Sequence, residues 1–150
     1  MLPAAEPQVF LAGIIQGSLE DPRIHGQAWR AEVARMLAAH APEARIYDHF
    51  ARHPQGIAYD LPRIRETLDE GNTACAASDV VICWLPEASM GTAIEMYLAH
   101  EAGRLVLAVT PMAPNWVVRA YADRVFPDLG ALEAWLSAGG LQGALAERSG

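Results

Sequence analysis

Lysine is missing altogether: all 11 basic residues of this 150-residue chain are arginine. That excludes chemistry built on an ε-amine, such as a Schiff base, a pyridoxal-phosphate anchor or the lysine of a phosphate-gripping P-loop. Positive charge of any kind is scarce. Eighteen acidic residues give a formal net charge of −7, so the chain lacks the clustered cations that hold DNA, RNA or an anionic membrane. Cysteine is nearly absent. Cys75 and Cys83 form no C-x-x-C and no disulfide framework, so a reducing, cytoplasmic setting is the expectation. No apolar run approaches the roughly 18 residues of a membrane span. The opening Met1–Gln8 has neither the basic nor the apolar region of a secretory leader. The five histidines are scattered. His49 and His53 stand four apart, but Pro54 follows and no H-E-x-x-H surrounds them, so no metal and no organic cofactor is expected.

What is present is apolar and regularly spaced. Hydrophobic residues make up 52 % of the chain, enough for one core in a domain of this length. Short apolar runs alternate with amphipathic stretches. Val9–Ile15, Ala44–Phe50, Val80–Leu85 and Leu105–Val109 read as strands. Trp29, Val33, Met36, Leu37 and His40 recur at helical spacing, and Pro42 ends that helix. Leu61, Ile64 and Leu68 mark another, entered through Asp60 and Pro62. A third runs from about Thr92 to Ala102 and stops at Gly103. A short helix at Trp116–Tyr121, a short strand at Arg124–Phe126 and a helix over Leu129–Ser137 complete the pattern. Strands apolar on both faces, alternating with helices, predict a three-layer α/β domain. Its parallel, Rossmann/flavodoxin-like sheet of four to five strands carries helices on both faces. A single domain over 1–150 is expected, with its core at about 8–138 and a frayed tail at about 139–150.

In such sheets ligands bind beyond the carboxyl ends of the strands. The loops expected there are Gly13–Ser18, Asp48–Phe50, Pro86–Thr92 and Thr110–Asn115. The third is the most informative, because it turns through Gly91 into a helix and places Glu95 near that helix's start. A helix N-terminus favours negative charge, so an ionised Glu95 would suit a nucleophile or an electrostatic stabiliser. Thr92-x-x-Glu95 is equally the signature of a capping box.

The stretch Ser89-Met90-Gly91-Thr92-Ala93-Ile94-Glu95, preceded by Ser78-Asp79-Val80-Val81-Ile82, resembles the nucleoside 2-deoxyribosyltransferase superfamily. Phe10-Leu11-Ala12-Gly13 is similar to the family's aromatic-Leu-Ala-Gly opening, and the resemblance spans roughly residues 8–112. It implies that Glu95 is the catalytic carboxylate, acting at the anomeric carbon of a ribose or deoxyribose as the base departs. A fixed carboxylate there stabilises oxocarbenium character, as in retaining glycosidases. The acceptor then decides between base transfer and hydrolysis. Family members that transfer deoxyribose carry Asp six residues before the glutamate. Members that hydrolyse nucleoside 5′-monophosphates carry Ser, so Ser89 points to that N-glycosidase branch and to a contact with the 5′ end.

The expected site then comprises Glu95, Asp48 and Glu70 as catalytic residues. Gly13, Gln16, Ser18, His49, Ser89, Gly91, Thr92 and Asn115 are expected to contact substrate. Two departures keep other readings open. The first loop has no Arg for a phosphate, although Gly17 and Ser18 offer donors. The family's acidic residue eight positions before Asp79 falls on Gly71, flanked by Glu70 and Asn72. A non-catalytic nucleotide-binding sensor and a TIR-like NAD glycohydrolase are the alternatives. The implied partner is a small nucleoside or nucleotide, not a nucleic-acid polymer or a membrane. A homodimer or higher homo-oligomer is expected as well.

Overall fold

The computed structural model describes residues 6–20 and 23–149. Met1–Ala5 of the expected leaderless start, and Gly150 of the tail, lie outside the described residues. The elements follow in the order β1 (Gln8–Gly13), α1 (Trp29–His40), β2 (Arg45–Tyr47), α2 (His49–Arg52) and a 3-10 turn at Gly56–Ala58. After these come α3 (Leu61–Ala77), β3 (Val80–Trp84), α4 (Met90–Glu101), β4 (Leu105–Val109), α5 (Trp116–Tyr121), β5 (Arg124–Phe126), α6 (Leu129–Ser137) and α7 (Gly140–Ser149).

The five strands form one parallel sheet in the order β2-β1-β3-β4-β5. The expected three-layer α/β fold is what the chain adopts. β1, β3 and β4 are central, so both of their faces are covered and their runs carry almost no polar residue. On one face Val9, Leu11, Val80, Ile82, Leu105 and Leu107 pack against Trp29, Val33, Met36 and Leu37 of α1 and Leu132 and Leu136 of α6. On the other, Phe10, Ala12, Val81, Cys83, Val106 and Ala108 meet Cys75 of α3, Met96 and Ala99 of α4 and Val118 of α5. The edge strands β2 and β5 are three residues each.

Local chemistry sets where the helices begin. Asp60 caps α3 by accepting from the Arg63 amide at 3.0 Å, and Asp128 caps α6 through the Ala131 amide at 2.8 Å. Each side-chain oxygen takes up an amide that has no partner within its helix. Ser78 and Asp79, the pair that opens β3, also prove structural. The Ser78 hydroxyl donates to the Ala74 carbonyl at 2.8 Å, and Asp79 accepts from the Gln8 amide at 2.8 Å. They fasten β3 to the end of α3 and to β1.

The tail departs from expectation. Residues Gly140–Ser149 form α7 rather than a frayed end. Leu141 and Ala144 are buried in the core, and a buried Leu contributes roughly 1.5–3 kcal/mol relative to exposure. Arg148 Nη2 donates to the carbonyls of Gly103 and Arg104 at 2.7 and 3.0 Å. Its Gly- and Ala-rich composition favours fraying, but packing of Leu141, Ala144 and Leu145 against the core outweighs the glycines' cost to a helix.

Candidate active site at the carboxyl edge

From β1 the chain runs outward to β2 and returns to β3 on the other side of β1. This reversal opens a crevice at the carboxyl ends of β1 and β3, the usual ligand position in open α/β sheets. Gly13, the last residue of β1, is buried there. A Cβ on it would stand 2.4 Å from the Trp29 ring. Its missing side chain is what lets Trp29 lie across the strand end and stack on Trp84, with centroids 5.6 Å apart.

Arg30 follows Trp29 and its side chain is only 8 % exposed. Its Nη1 donates to Asp48 Oδ1 at 2.7 Å, and its Nε donates to Gln27 Oε1 at 2.8 Å. The guanidinium lies over the rings of Trp29 and Phe50, at 4.7 and 5.0 Å. Burial pulls the Arg30 pKa down, and Asp48 pushes it back. A guanidinium stays charged through either influence. The second strand ends at Tyr47, earlier than the expected Phe50. Asp48 instead caps α2, accepting from the Ala51 amide at 3.1 Å. One carboxylate therefore starts a helix and fixes an arginine.

Glu95 lies in the second turn of α4, partly buried. Burial pushes its pKa up to about 8, with the Arg30 charge pulling the other way. This corrects the expectation of an ionised carboxylate at a helix N-terminus. α4 begins at Met90, not Thr92, so Glu95 sits beyond the first turn, where the helix field has decayed. Nor does Glu95 form a capping box with Thr92. Ser89 is the cap: its Oγ accepts from the Thr92 amide at 3.3 Å and its hydroxyl donates to Thr92 Oγ1 at 3.0 Å. Thr92 is buried and Gly91 exposed.

Beside this edge lies an open groove of about 420 Å³, lined by Gly17, Ser18, Leu85, Ala88, Ser89, Met90, Met112, Asn115 and Val117 among others. Its lining is uncharged. Gly17 turns the first loop with φ +58°. Asn115 caps α5, accepting from the amides of Val117 and Val118 at 2.9 and 3.3 Å. Gln16 is exposed, and its carbonyl accepts from the Leu19 amide at 3.2 Å. The structure thus gathers Ser18, Ser89 and Asn115 at the groove, and Asp48 at Arg30.

Two expected site residues are placed elsewhere. His49 faces α3, with Nε2 2.8 Å from the Thr67 carbonyl and Nδ1 3.3 Å from the Tyr47 hydroxyl. Burial lowers its pKa. Gly71 makes room for it, since a Cβ there would meet the His49 ring at 2.7 Å. Glu70 pairs with His53 at 3.4 Å. The charge that acts on Glu95 is that of Arg30. Both cysteines are buried, which pushes their thiols far up and leaves neither as a nucleophile.

In fold, the chain is similar to a 2-deoxyribosyltransferase. That enzyme, from the psychrotolerant bacterium Bacillus psychrosaccharolyticus, superposes with a TM-score of 0.62 at 14 % identity, over 86 % of this chain and 95 % of the other. A conserved protein from Enterococcus faecalis V583 superposes at 0.57 with 17 % identity, over 90 % and 99 % of the two chains. A protein of Burkholderia pseudomallei K96243, named for a relation to pilus assembly, does so at 0.56 with 15 % identity, over 97 % and 94 %. No protein-family model and no curated protein matches the chain. At these identities the likeness establishes the fold. No described helix is long and apolar enough to cross a membrane.

Arg30 is the residue that reading the sequence missed. Its signal was present: it shares the inward stripe of α1 with Val33 and Leu37, at helical spacing. An arginine on an apolar stripe needs a buried partner, and Asp48 is that partner.

Proposed function

We propose that the chain cleaves or transfers at the N-glycosidic bond of a nucleoside or nucleoside 5′-monophosphate, with Glu95 as nucleophile. One observation carries this reading. A desolvated carboxylate under the charge of Arg30, which Asp48 holds, lies on α4, the helix whose start borders an uncharged groove. The sugar's anomeric carbon meets the Glu95 carboxylate, the C–N bond breaks and the base leaves with its electron pair. A carboxylate ester to the sugar forms, and water or a second base opens it. In a site of low polarity the ionised carboxylate stabilises oxocarbenium charge more strongly than it would in water. Arg30 favours the ionised form and Asp48 positions Arg30. The hydroxyls of Ser18 and Ser89, with the amides that open α4, receive the 5′ end.

A second copy of the chain completes the groove in this reading. Met90 and Trp116 are 82 % and 84 % exposed, and Met90 lines the groove that Trp116 flanks. Light scattering of the purified protein measures the assembly state.

Incubation with a panel of nucleosides and 5′-monophosphates, with and without an acceptor base, tests the activity. Chromatography should show a released base, and Glu95→Ala should abolish its release. No release from any member, or undiminished release by the variant, would overturn the reading. A second reading has its own support. Below about pH 8 Glu95 is largely neutral, which suits a nucleotide-binding sensor without turnover. Calorimetry that finds tight nucleotide binding with no base release would favour it.

A further inference from the structure

Away from Arg30 and Glu95, α2 presents an arrangement that this reading does not use. α2 has four residues and none of them is buried. Apolar packing gives it little hold on the domain. It is held against α3 by two imidazoles instead. His49 lies in its first turn, His53 is its C-terminal cap and Glu70 projects from α3 toward both. One ring nitrogen of each histidine and one Glu70 oxygen lie within 4.8 Å of one another.

The state of His53 shows that the group is more than a surface ion pair. Its side chain is 10 % exposed. Nδ1 is 3.0 Å from the Tyr59 hydroxyl. Nε2 is buried without a hydrogen bond, standing 3.4 Å from Glu70 Oε2 but out of line with it. An orphaned buried nitrogen costs free energy unless something coordinates it. The Thr67 carbonyl orients His49 through Nε2 and the Tyr59 hydroxyl orients His53 through Nδ1, and a metal on His49 Nδ1 would replace its 3.3 Å contact with the Tyr47 hydroxyl. Outer partners of this kind hold the imidazoles of metal sites in place.

We propose that His49, His53 and Glu70 bind a zinc-class divalent cation that staples α2 to α3. Two imidazoles and one carboxylate are a recurrent three-ligand set for zinc, with a fourth position left to water. The donors are nitrogen and oxygen without sulfur, which suits Zn²⁺, Co²⁺, Ni²⁺ and Cu²⁺ over the hard cations Mg²⁺ and Ca²⁺. Metal loading drives off any proton on the ligating nitrogens, so binding weakens in acid. The positive side chain that acts on His49 among the described residues is Arg52, whose guanidinium lies over Tyr47 at 4.3 Å. The staple fixes the helix that begins at Asp48, and so secures the partner of Arg30.

Tag-free, chelator-stripped full-length protein titrated with Co²⁺ tests the site. One equivalent per chain should give the visible absorption bands of a four-coordinate site, and Zn²⁺ should abolish them stoichiometrically. Zn²⁺ at roughly a hundredfold excess over its Kd should raise the melting temperature by several degrees. Glu70→Gln and His53→Gln should each weaken Zn²⁺ binding by at least about tenfold, while Arg52→Gln should bind at least as tightly as the wild type. Glu70 is exposed, so its variant keeps the fold, and the test stands even where His53→Gln does not. Absence of stoichiometric Co²⁺ or Zn²⁺ binding at micromolar concentration overturns the proposal. So does Zn²⁺ affinity that Glu70→Gln leaves unchanged. None of these readouts depends on base release, so the site stands or falls apart from the proposed activity.

Discussion

Replacing Glu95 with glutamine tests the electrostatics of the edge without any substrate. In the folded chain burial holds the Glu95 pKa at about 8, against an ordinary value of 4.5. The folded state therefore keeps a proton that the unfolded chain has released. The stability that follows from this is complete below pH 4.5 and is lost as pH rises toward 8. Between those limits each pH unit costs about 1.4 kcal/mol. From pH 6 to pH 8 the wild type should lose at most about 2 kcal/mol that Glu95→Gln does not, once the partial ionisation near pH 8 is included.

Glutamine keeps the shape and stays neutral, and every other titrating group is common to both proteins. The difference between their pH–stability curves thus isolates one carboxyl group. Urea unfolding at half-unit steps, followed by far-ultraviolet circular dichroism, measures it. For a domain of this size 2 kcal/mol corresponds to roughly 4–8 °C in melting temperature. The variant should gain on the wild type throughout this range. Parallel curves between pH 6 and pH 8 would refute the reasoning, because they would mean that Glu95 is solvated and ionised in the folded chain.

Other outcomes follow from the same geometry. If ionised Glu95 attacks the sugar, kcat/KM should rise about tenfold from pH 7 to pH 9 for a group titrating near 8. Arg30→Gln should move that rise to higher pH, and a profile that falls with pH would assign Glu95 the role of an acid instead. Gly13→Ala should destabilise by about 1–3 kcal/mol, through the forced shift of Trp29; a thermal melt checks it, and an unchanged melting temperature would contradict the close approach. A thiol reagent should label neither Cys75 nor Cys83 in the native protein and both on unfolding, as followed by absorbance.

The sheet was legible because its central strands are continuous apolar runs, a strong local signal. β4 matches its expected span, Leu105–Val109, as do α5, β5 and α6. Helix starts were less legible. Ser89 competes with Thr92 for the cap, and a choice of three residues decides whether Glu95 falls in the first turn or the second. The sign of its pKa shift is set by burial, which a local sequence pattern does not show. Asp48 was visible at the end of the second strand, but its partner lies 18 residues earlier. Only the fold brings them together. His49 and Glu70 were readable as polar residues near the edge, whereas their attachment to the α2–α3 contact depends on packing around Gly71.

The absence of a side chain at Gly13 has a spectroscopic consequence. Two of the four indoles of this chain, Trp29 and Trp84, lie nearly parallel, with their planes inclined by 16°. At that separation their electronic transitions couple, and the near-ultraviolet dichroism of the folded protein carries the signature of the pair. Arg30 rests on one of these rings. Any molecule that draws the guanidinium toward the crevice lifts a cation from an indole face. The protein therefore carries its own optical gauge of events at the carboxyl edge, readable without a label.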